Sequence, residues 1–361
     1  MLRYKKNIIL VSIVIIIIVS GFFIWFSFFR PGLSTPPLVT TPPANETTSG
    51  PEVPASKIKI ISNRPVSAHW ETGQDVFYLT PEGILYKNNN PIEVKITAGS
   101  RLVSFSPKNK KAIIAAGSPP EISFSAFDLS DNSLKFLPAE AASVDWNPEA
   151  NKIAYLTDSA DKSHLIILNP RETESSQEIT SFTGEDLLLN WSLPDIIYFR
   201  DKPSFQALGS LWAYNLKTDT INKIISEKPG LVVKWLDGEK GLMLADNILS
   251  IIDRNGRVIS SFLDKTIPSK CAYSETDQKL YCAVPKQIPD ILELPDDYLQ
   301  TITGDDIYVF YLNRLKNNFL NQGVLFFTSP SQNISVSQPR ISGGRLYFVN
   351  RFDDNLYALD L

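Results

Sequence analysis

The chain contains 361 residues, 43% hydrophobic and 20% charged, which is enough apolar material for one large domain or two ordinary ones. Its formal charge is −4, but residues 1–30 carry four basic residues and no acid, which leaves 31 basic against 39 acidic residues in the remainder. An acidic remainder without a Lys/Arg cluster is not typical of proteins that bind nucleic acid or anionic lipid surfaces.

The first predicted element is a transmembrane helix at residues 8–29. These 22 residues contain no charge, and at 1.5 Å per residue they span roughly 33 Å, enough for a hydrocarbon core of ~30 Å. Arg3, Lys5 and Lys6 precede them, which predicts a cytoplasmic tail of residues 1–7 and an extracytoplasmic remainder. A cleaved signal peptide is the alternative, but it has a shorter apolar region that ends in a small-residue site. The sequence therefore predicts a single-pass protein of the cell membrane, held by an uncleaved signal anchor.

Residues 30–56 form the next predicted segment, a stalk rich in Pro and Thr. Between Pro31 and Ser56 the chain has seven Pro, five Thr and three Ser. Such a composition cannot bury apolar area, so the segment is expected to stay disordered and extended, partly as polyproline II.

From residue 57 onward a pattern recurs seven times, with an aromatic residue before a short polar turn and an apolar strand after it. The aromatic position is occupied in chain order by Trp70, Phe105, Trp146, Trp191, Trp235, Tyr273 and, as an exception, Ile341. Successive copies are 35, 41, 45, 44, 38 and 68 residues apart. Each copy divides into four strand-like runs, which in the third copy cover residues 143–146, 152–156, 165–168 and 177–180.

This period predicts an all-β, seven-bladed β-propeller at residues 57–361. A single four-stranded sheet cannot bury both of its faces, whereas a ring of stacked sheets can. The regular recurrence of the aromatic residues favours a role in packing between blades over a ring of ligand-binding aromatics.

Two copies, Ser104-Phe105-Ser106-Pro107 and Asp145-Trp146-Asn147-Pro148, resemble the repeats of TolB-type (WD40-like) propellers. In that family an aromatic and a Ser-Pro-Asp-Gly-like turn precede an apolar second strand. No copy here has the full Ser-Pro-Asp-Gly, and no Trp is followed by Asp as in WD repeats. The resemblance covers residues 58–361 and implies a propeller that serves as a protein-binding platform.

The two ends of the repeat region predict how the ring closes. The chain ends with the third strand of the seventh copy, whereas residues 57–62 form a strand that belongs to no copy. We expect this strand to complete the last blade and so remove an open edge. The stalk then joins the face opposite the longer loops, which point away from the membrane.

Residues 285–305 interrupt the repeat and supply the candidate partner-binding residues. These are Ile291, Leu292, Glu293, Asp296, Asp297 and Tyr298. Binding residues concentrate on loops held by a rigid scaffold, so contact with an envelope protein or peptide is one interpretation. The other is a loop that only caps the channel or a neighbouring blade.

The remaining reactive residue types do not predict a catalytic centre. Cys271 and Cys282 are opposed across a turn, and either a disulfide or two buried thiols fits this spacing. His69 and His164 are interpreted as structural, since neither lies near a Ser in a nucleophile-elbow context, and a zinc site of His and Cys is not expected. The acidic pairs are interpreted as solvated turns rather than calcium ligands. No metal, cofactor or catalytic residue is expected.

The sequence thus predicts a membrane-anchored, extracytoplasmic, non-catalytic platform for a protein or peptide. The alternative is a propeller glycosidase or lyase, or a glycan-binding protein, that acts on envelope polysaccharide. Such an enzyme needs paired carboxylates that converge on the central pocket, and the sequence does not mark such a pair.

Overall fold

The computed structural model describes residues 58–106, 110–118, 121–159, 162–170, 176–184, 186–287, 293–315, 320–328 and 333–361. The predicted tail, transmembrane helix and stalk, residues 1–56, lie outside the described residues. Within the described ranges, no helix combines the length and the apolar character needed to cross a bilayer.

Seven sheets, each of four antiparallel strands except one that gains a fifth, parallel strand, confirm the predicted seven-bladed propeller. Strand β1 is Ile58–Ile60. Blade one contains β2 (Ala68–Thr72), β3 (Asp75–Leu79), β4 (Leu85–Lys87) and β5 (Asn90–Ile92). Blade two contains β6 (Arg101–Ser106), β7 (Lys111–Ser118), β8 (Glu121–Asp128) and β9 (Ser133–Phe136). Blade three contains β10 (Ala141–Trp146), β11 (Ile153–Ser159), β12 (Lys162–Leu168) and β13 (Ser176–Thr183).

The later blades repeat this order with one variation. Blade four contains β14 (Leu188–Leu193), β15 (Ile196–Arg200), β16 (Leu208–Asn215) and β17 (Thr220–Pro229). Blade five contains β18 (Val232–Trp235), β19 (Lys240–Ala245), β20 (Ile248–Asp253) and β21 (Val258–Phe262). Blade six contains β22 (Cys271–Ser274), β23 (Lys279–Pro285), β24 (Asp305–Tyr311) and β26 (Val324–Phe327), and β25 (Leu320–Asn321) pairs in parallel with β21. Blade seven contains β27 (Val336–Ser342), β28 (Arg345–Asn350), β29 (Asn355–Asp360) and β1.

The long step between the sixth and seventh copies has two causes. The predicted insertion connects β23 to β24 and contains the short helix α1 (Asp296–Gln300). The chain then leaves blade six between β24 and β26 to add β25 to the outer edge of blade five. The insertion alone therefore does not account for the whole step.

The hydrophobic core is divided into seven clusters, and each lies between two neighbouring blades. The cluster between blades one and two, for example, joins Trp70 and Phe77 to Ala112 and Phe127. The cluster between blades seven and one joins Tyr347 to Tyr78. Because each cluster needs residues from two blades, no blade can bury its faces alone.

The ring closes as predicted, through antiparallel pairing of β1 with β29. Ile58 is opposite Leu359 and Ile60 is opposite Tyr357. The pairing continues past the strand, where the Ile61 backbone N–H donates to the Leu356 carbonyl at 2.8 Å. Strand β1 is therefore the fourth strand of blade seven, and the other three strands of that blade come from the C-terminal end of the chain.

The propeller has two distinct faces. We call the side with the first-to-second and third-to-fourth turns of each blade the hairpin face. The side with the second-to-third connections and the linkers between blades is the loop face. Ile58 pairs with the end of β29, so the chain joins the propeller at the hairpin face, and the insertion lies on the loop face.

Deleting residues 57–62 from the full-length chain is expected to lower the stability of the whole propeller by about 2–4 kcal/mol. This is the order of magnitude for the loss of a few backbone hydrogen bonds and of the two partly buried side chains of Ile58 and Ile61. Thermal unfolding followed by circular dichroism measures the effect, with a six-residue deletion at residues 36–41 as the control. Equal melting temperatures for the two deletions would contradict the closure.

Candidate functional site

The insertion is bonded at its first end to blade four. The Asp296 Oδ2 atom accepts hydrogen bonds from Ser204 Oγ at 3.1 Å and from the Phe205 backbone N–H at 2.9 Å. Glu293 Oε2 accepts from Gln206 Nε2 at 2.5 Å. Two of the predicted partner-binding carboxylates therefore hold the insertion against the loop between β15 and β16.

Two other predicted partner-binding residues also face the protein. Tyr298 is 2% exposed and its hydroxyl donates to the Lys265 carbonyl at 3.2 Å. Asp297 Oδ2 accepts from the Glu293 backbone N–H at 2.6 Å. Ile291 and Leu292 lie outside the described residues. Binding of a partner by this segment stays a prediction, and its exposed apolar side chains are Leu299 and Ile302, at 57% and 47% exposure.

The other end of the insertion is bonded to blade seven. Nη1 of Arg351 donates to the carbonyls of Tyr298 at 3.0 Å and Thr301 at 2.9 Å. Cationic donors stabilise the C-terminal end of a helix, so Arg351 fixes α1 by its last carbonyls. The insertion thus extends over the loop face from blade four to blade seven.

A buried ion pair lies beneath the insertion. Lys270 Nζ and Asp305 Oδ2 are 2.7 Å apart, and their side chains are 4% and 0% exposed. Asp305 also accepts from Thr303 Oγ1 at 2.8 Å and, across the blade interface, from the Val336 backbone N–H at 2.8 Å. Burial lowers the pKa of Lys270, and the charge of Asp305 opposes that shift.

An open groove of the loop face lies over blades two to four. It has a volume of about 860 Å³ and mixes apolar and charged side chains. Representative lining residues are Arg101, Val103, Phe124, Glu140, Leu188 and Lys202. Lys202 and Pro203 belong to the same loop that the insertion holds, so the insertion supports one wall of this groove.

A second cavity, of about 460 Å³, opens on the hairpin face of the central channel. It is lined by the ends of the first strands and the following turns of blades two to five. The aromatic residues Phe105, Trp146, Trp191 and Trp235 contribute to its wall, although each also packs between blades. The groove and the cavity are at opposite ends of β6, since Arg101 lines one and Ser106 the other.

Both carboxylates of the cavity already accept hydrogen bonds. Asp145 accepts from the backbone N–H groups of Trp146 at 2.8 Å and Trp191 at 2.9 Å, and from Asn190 Nδ2 at 3.1 Å. Burial raises the pKa of Asp145, and hydrogen bonds from the Ser104 side chain and from the backbone N–H groups of Trp191 and Trp146 oppose the shift. Asp237 accepts from the backbone N–H groups of Glu239 and Lys240 at 2.8 and 2.7 Å.

Trp70 does not occupy the aromatic position that the repeat assigns to it, which corrects the alignment of the first copy. In the hairpin formed by the first and second strands of their blades, Phe105, Tyr273 and Ile341 each belong to the next-to-last residue pair before the turn. Their side chains face the preceding blade. In blade one the corresponding residue is Glu71, whereas Trp70 is shifted by one and faces blade two. Because side chains alternate along a strand, a shift of one residue reverses the face.

Glu71 therefore points into the interface with blade seven, beside His69. His69 Nδ1 is 2.7 Å from Glu71 Oε1, and His69 Nε2 is 2.8 Å from the Gln338 carbonyl. A carbonyl only accepts, so Nε2 donates to Gln338. His69 thus links Glu71 on its own strand to the backbone of blade seven.

Two cations, Lys234 and Arg340, occupy the position directly before the aromatic one in blades five and seven. Burial lowers the pKa of Lys234 to about 8, and the charge of Arg340 adds to the shift. Burial also lowers the pKa of Arg340, while the carboxylate of Glu71 opposes that shift. Sequence reasoning did not single out these residues. The available signal was a charged residue directly before the aromatic position in the fifth and seventh copies.

The remaining predicted site residues have structural partners. Cys271 and Cys282 are opposed on β22 and β23 and joined by a disulfide with an S–S distance of 2.07 Å. His164 Nδ1 lies 2.9 Å from Glu178 Oε1 on the neighbouring strand. Within the described ranges, no three His, Cys, Asp or Glu side chains are close enough together to hold a metal ion.

No protein-family model and no curated protein matches the sequence. Among solved structures, the chain is similar to the β-propeller domain of Cps50 (Swd1) from Myceliophteria thermophila, with a TM-score of 0.57 and 10% identity over 84% of this chain and 99% of that one. It is similar to hydrazine synthase of Kuenenia stuttgartiensis, with a TM-score of 0.52 and 12% identity over 84% and 97%. For TolB of Acinetobacter baumannii the TM-score is 0.43, with 15% identity over 80% and 77%. At these identities the likeness establishes the β-propeller fold alone.

Replacing Lys270 by Met is expected to destabilise the propeller by about 3–5 kcal/mol, because it leaves the charge of Asp305 buried without a counter-ion. Chemical denaturation of the full-length protein measures this loss. Lys217→Met is the matched control, since Lys217 pairs with Asp195 at the exposed surface and should contribute less than about 1 kcal/mol. Similar losses for the two variants would show that the buried pair has no special role.

The lowered pKa of Lys234 predicts a pH dependence of stability. The folded state disfavours protonated Lys234, so between pH 8 and the ordinary lysine pKa of about 10.4 the unfolded state binds more protons. The free energy of unfolding of the wild type, relative to Lys234→Met, should therefore rise with pH across this window and be flat below it. Denaturation at several pH values tests this, with the exposed Lys223→Met as control. A flat difference throughout would refute the shifted pKa.

Proposed function

We propose that this chain is a membrane-anchored, extracytoplasmic propeller that binds a protein or peptide partner without catalysis. The observation that carries the proposal is the groove of about 860 Å³ on the loop face, opposite the point where the chain joins the propeller. If residues 8–29 span the membrane, this arrangement directs the groove away from the bilayer.

The composition of the groove fits a peptide segment. Val103 is 40% exposed and lies among apolar neighbours such as Phe124 and Leu188, which can receive apolar side chains. Arg101 and Glu140 supply charges of both signs at the same groove. Pockets that bind ligands typically combine an apolar lining with a few polar groups that fix orientation.

The insertion contributes rigidity to this platform. It connects the loop face from blade four to blade seven through Asp296 and Arg351. A surface that is held rigid before binding loses less conformational entropy when a partner docks. The exposed apolar side chains Leu299, Ile302 and Phe352 near the Arg351 end provide a second contact area for the same partner.

The hairpin-face cavity supports binding rather than glycoside hydrolysis. A glycosidase needs one carboxylic acid and one carboxylate free to reach the sugar. Asp145 is held by three donors, and Asp237 is held by two backbone N–H groups and by the Tyr273 hydroxyl at 3.3 Å. Carboxylates that orient the turns of the scaffold in this way are poorly placed for proton transfer.

Site-specific photocrosslinking in intact cells tests the proposal. A photoreactive amino acid is placed in the full-length protein at Val103 in the groove, at Leu299 on the insertion, or at Phe136. Phe136 is the control, because it is 69% exposed on the outer strand of blade two and belongs to neither surface. We expect one envelope protein or peptide to crosslink from Val103 and not from Phe136.

A charge in the groove provides the quantitative arm of this test. Val103→Glu should weaken partner recovery roughly 30-fold, the effect of losing about 2 kcal/mol at a central apolar contact, whereas Phe136→Glu should leave it unchanged. Crosslinking from Leu299 alone would move the site to the insertion. The absence of any position-specific partner, together with turnover of envelope glycans, would favour the glycosidase or lyase instead.

A further inference from the structure

A small pocket with aromatic walls lies between blades three and four. Phe182 of blade three and Phe199 and Trp212 of blade four line it, and Leu187 and Ile221 complete its apolar wall. The ring centroids of Phe182 and Phe199 are 4.8 Å apart. Phe199 and Trp212 are opposed on β15 and β16, so their side chains share the face of blade four that packs against blade three.

The size of this pocket matches one aromatic ring that carries a polar substituent. Its volume is about 250 Å³. An apolar cavity of ~150 Å³ lined by Leu, Ile and Phe side chains already holds a benzene molecule. Rings prefer offset-stacked or edge-to-face contacts with other rings, and three aromatic residues in the wall offer such contacts.

One charged residue, Asp201, is among the described residues that line the pocket. Its Oδ2 atom accepts a hydrogen bond from the Ser210 backbone N–H at 2.8 Å, which holds the carboxylate against β16. Within the described ranges, no donor bonds to the Oδ1 atom. Because both oxygens of a carboxylate accept, Asp201 can take one further hydrogen bond from a group inside the pocket.

The pocket adjoins the groove on the loop face. Leu187 lines both of them. Asp201 of the pocket directly precedes Lys202, which lines the groove. A chain segment that lies in the groove can therefore direct one side chain into the pocket.

We propose that this pocket receives one Tyr or Trp side chain of the peptide that occupies the groove. The inference rests on the proposed peptide-binding function and adds the residue type that the site selects. Interfaces commonly take most of their binding energy from a few aromatic anchors that fill such pockets. The Tyr hydroxyl and the Trp indole N–H can each donate to Asp201, whereas a Phe side chain has no donor.

Binding of side-chain analogues to the purified full-length protein tests the pocket without any partner. The probes are 4-methylphenol and 3-methylindole, with toluene as the analogue that lacks a polar hydrogen, and ligand-observed NMR titration measures their affinities. The two donors should bind about tenfold more tightly than toluene, as expected for one hydrogen bond to a carboxylate. Asp201→Asn keeps an oxygen for the Ser210 N–H and should remove this preference without weakening toluene. Equal affinity of the three probes for the wild type would overturn the proposal.

A variant that narrows the pocket tests its use by the peptide. Ile221→Trp should weaken the binding of all three probes about tenfold or more and should lower crosslinking from Val103 by a similar factor. Val258→Trp is the matched control, because Val258 is 38% and Ile221 39% exposed and both lie on outer strands. Equal melting temperatures of the two variants report that the propeller is folded.

The two readouts fail separately. Undiminished crosslinking from Val103 in Ile221→Trp, together with lost probe binding, would overturn the assignment of the pocket to the peptide. If Val103 yields no partner in the wild type, the proposed function fails and the peptide assignment fails with it. The probe affinities still decide in that case whether the pocket binds an aromatic donor.

Discussion

The pairing of β1 with β29 is the interaction on which the rest of the structure depends. Every hydrophobic cluster lies between two blades, so each blade is stable only while both of its neighbours are in place. An open ring would expose one face of each of the two blades at the gap. It would also leave the edge of β29, the third strand of blade seven, unpaired. By joining residues from the two ends of the repeat region, the β1–β29 pair makes the seven interfaces one cooperative unit.

The two faces of the closed ring also differ in the connections that they carry. The first-to-second turns on the hairpin face are short, whereas the connections on the loop face can lengthen without disturbing a sheet. The insertion uses this freedom, and the buried pair of Lys270 and Asp305 fixes its base between blades six and seven. A rigid, irregular surface is thus built on one side of a regular scaffold.

The repeat departs from its own pattern where charge replaces apolar packing. In blade one, Glu71 takes a position that holds Phe105, Tyr273 or Ile341 in other blades, and it brings His69 into the interface with blade seven. Burial of these groups is tolerable because their hydrogen bonds are satisfied.

The sequence by itself determined the number of blades, their order and the closing strand, because spacing and alternation of apolar residues directly reflect strands that stack in a ring. It also placed Cys271 opposite Cys282, since local turns fix local register. Only the tertiary structure decided which residues face each other across blades. Trp70 and Glu71 differ by a single position, and the turn geometry decides which of them faces blade seven. The contact of His69 with Gln338 required the closed ring, because the two residues are far apart in sequence and come from the first and the last blade.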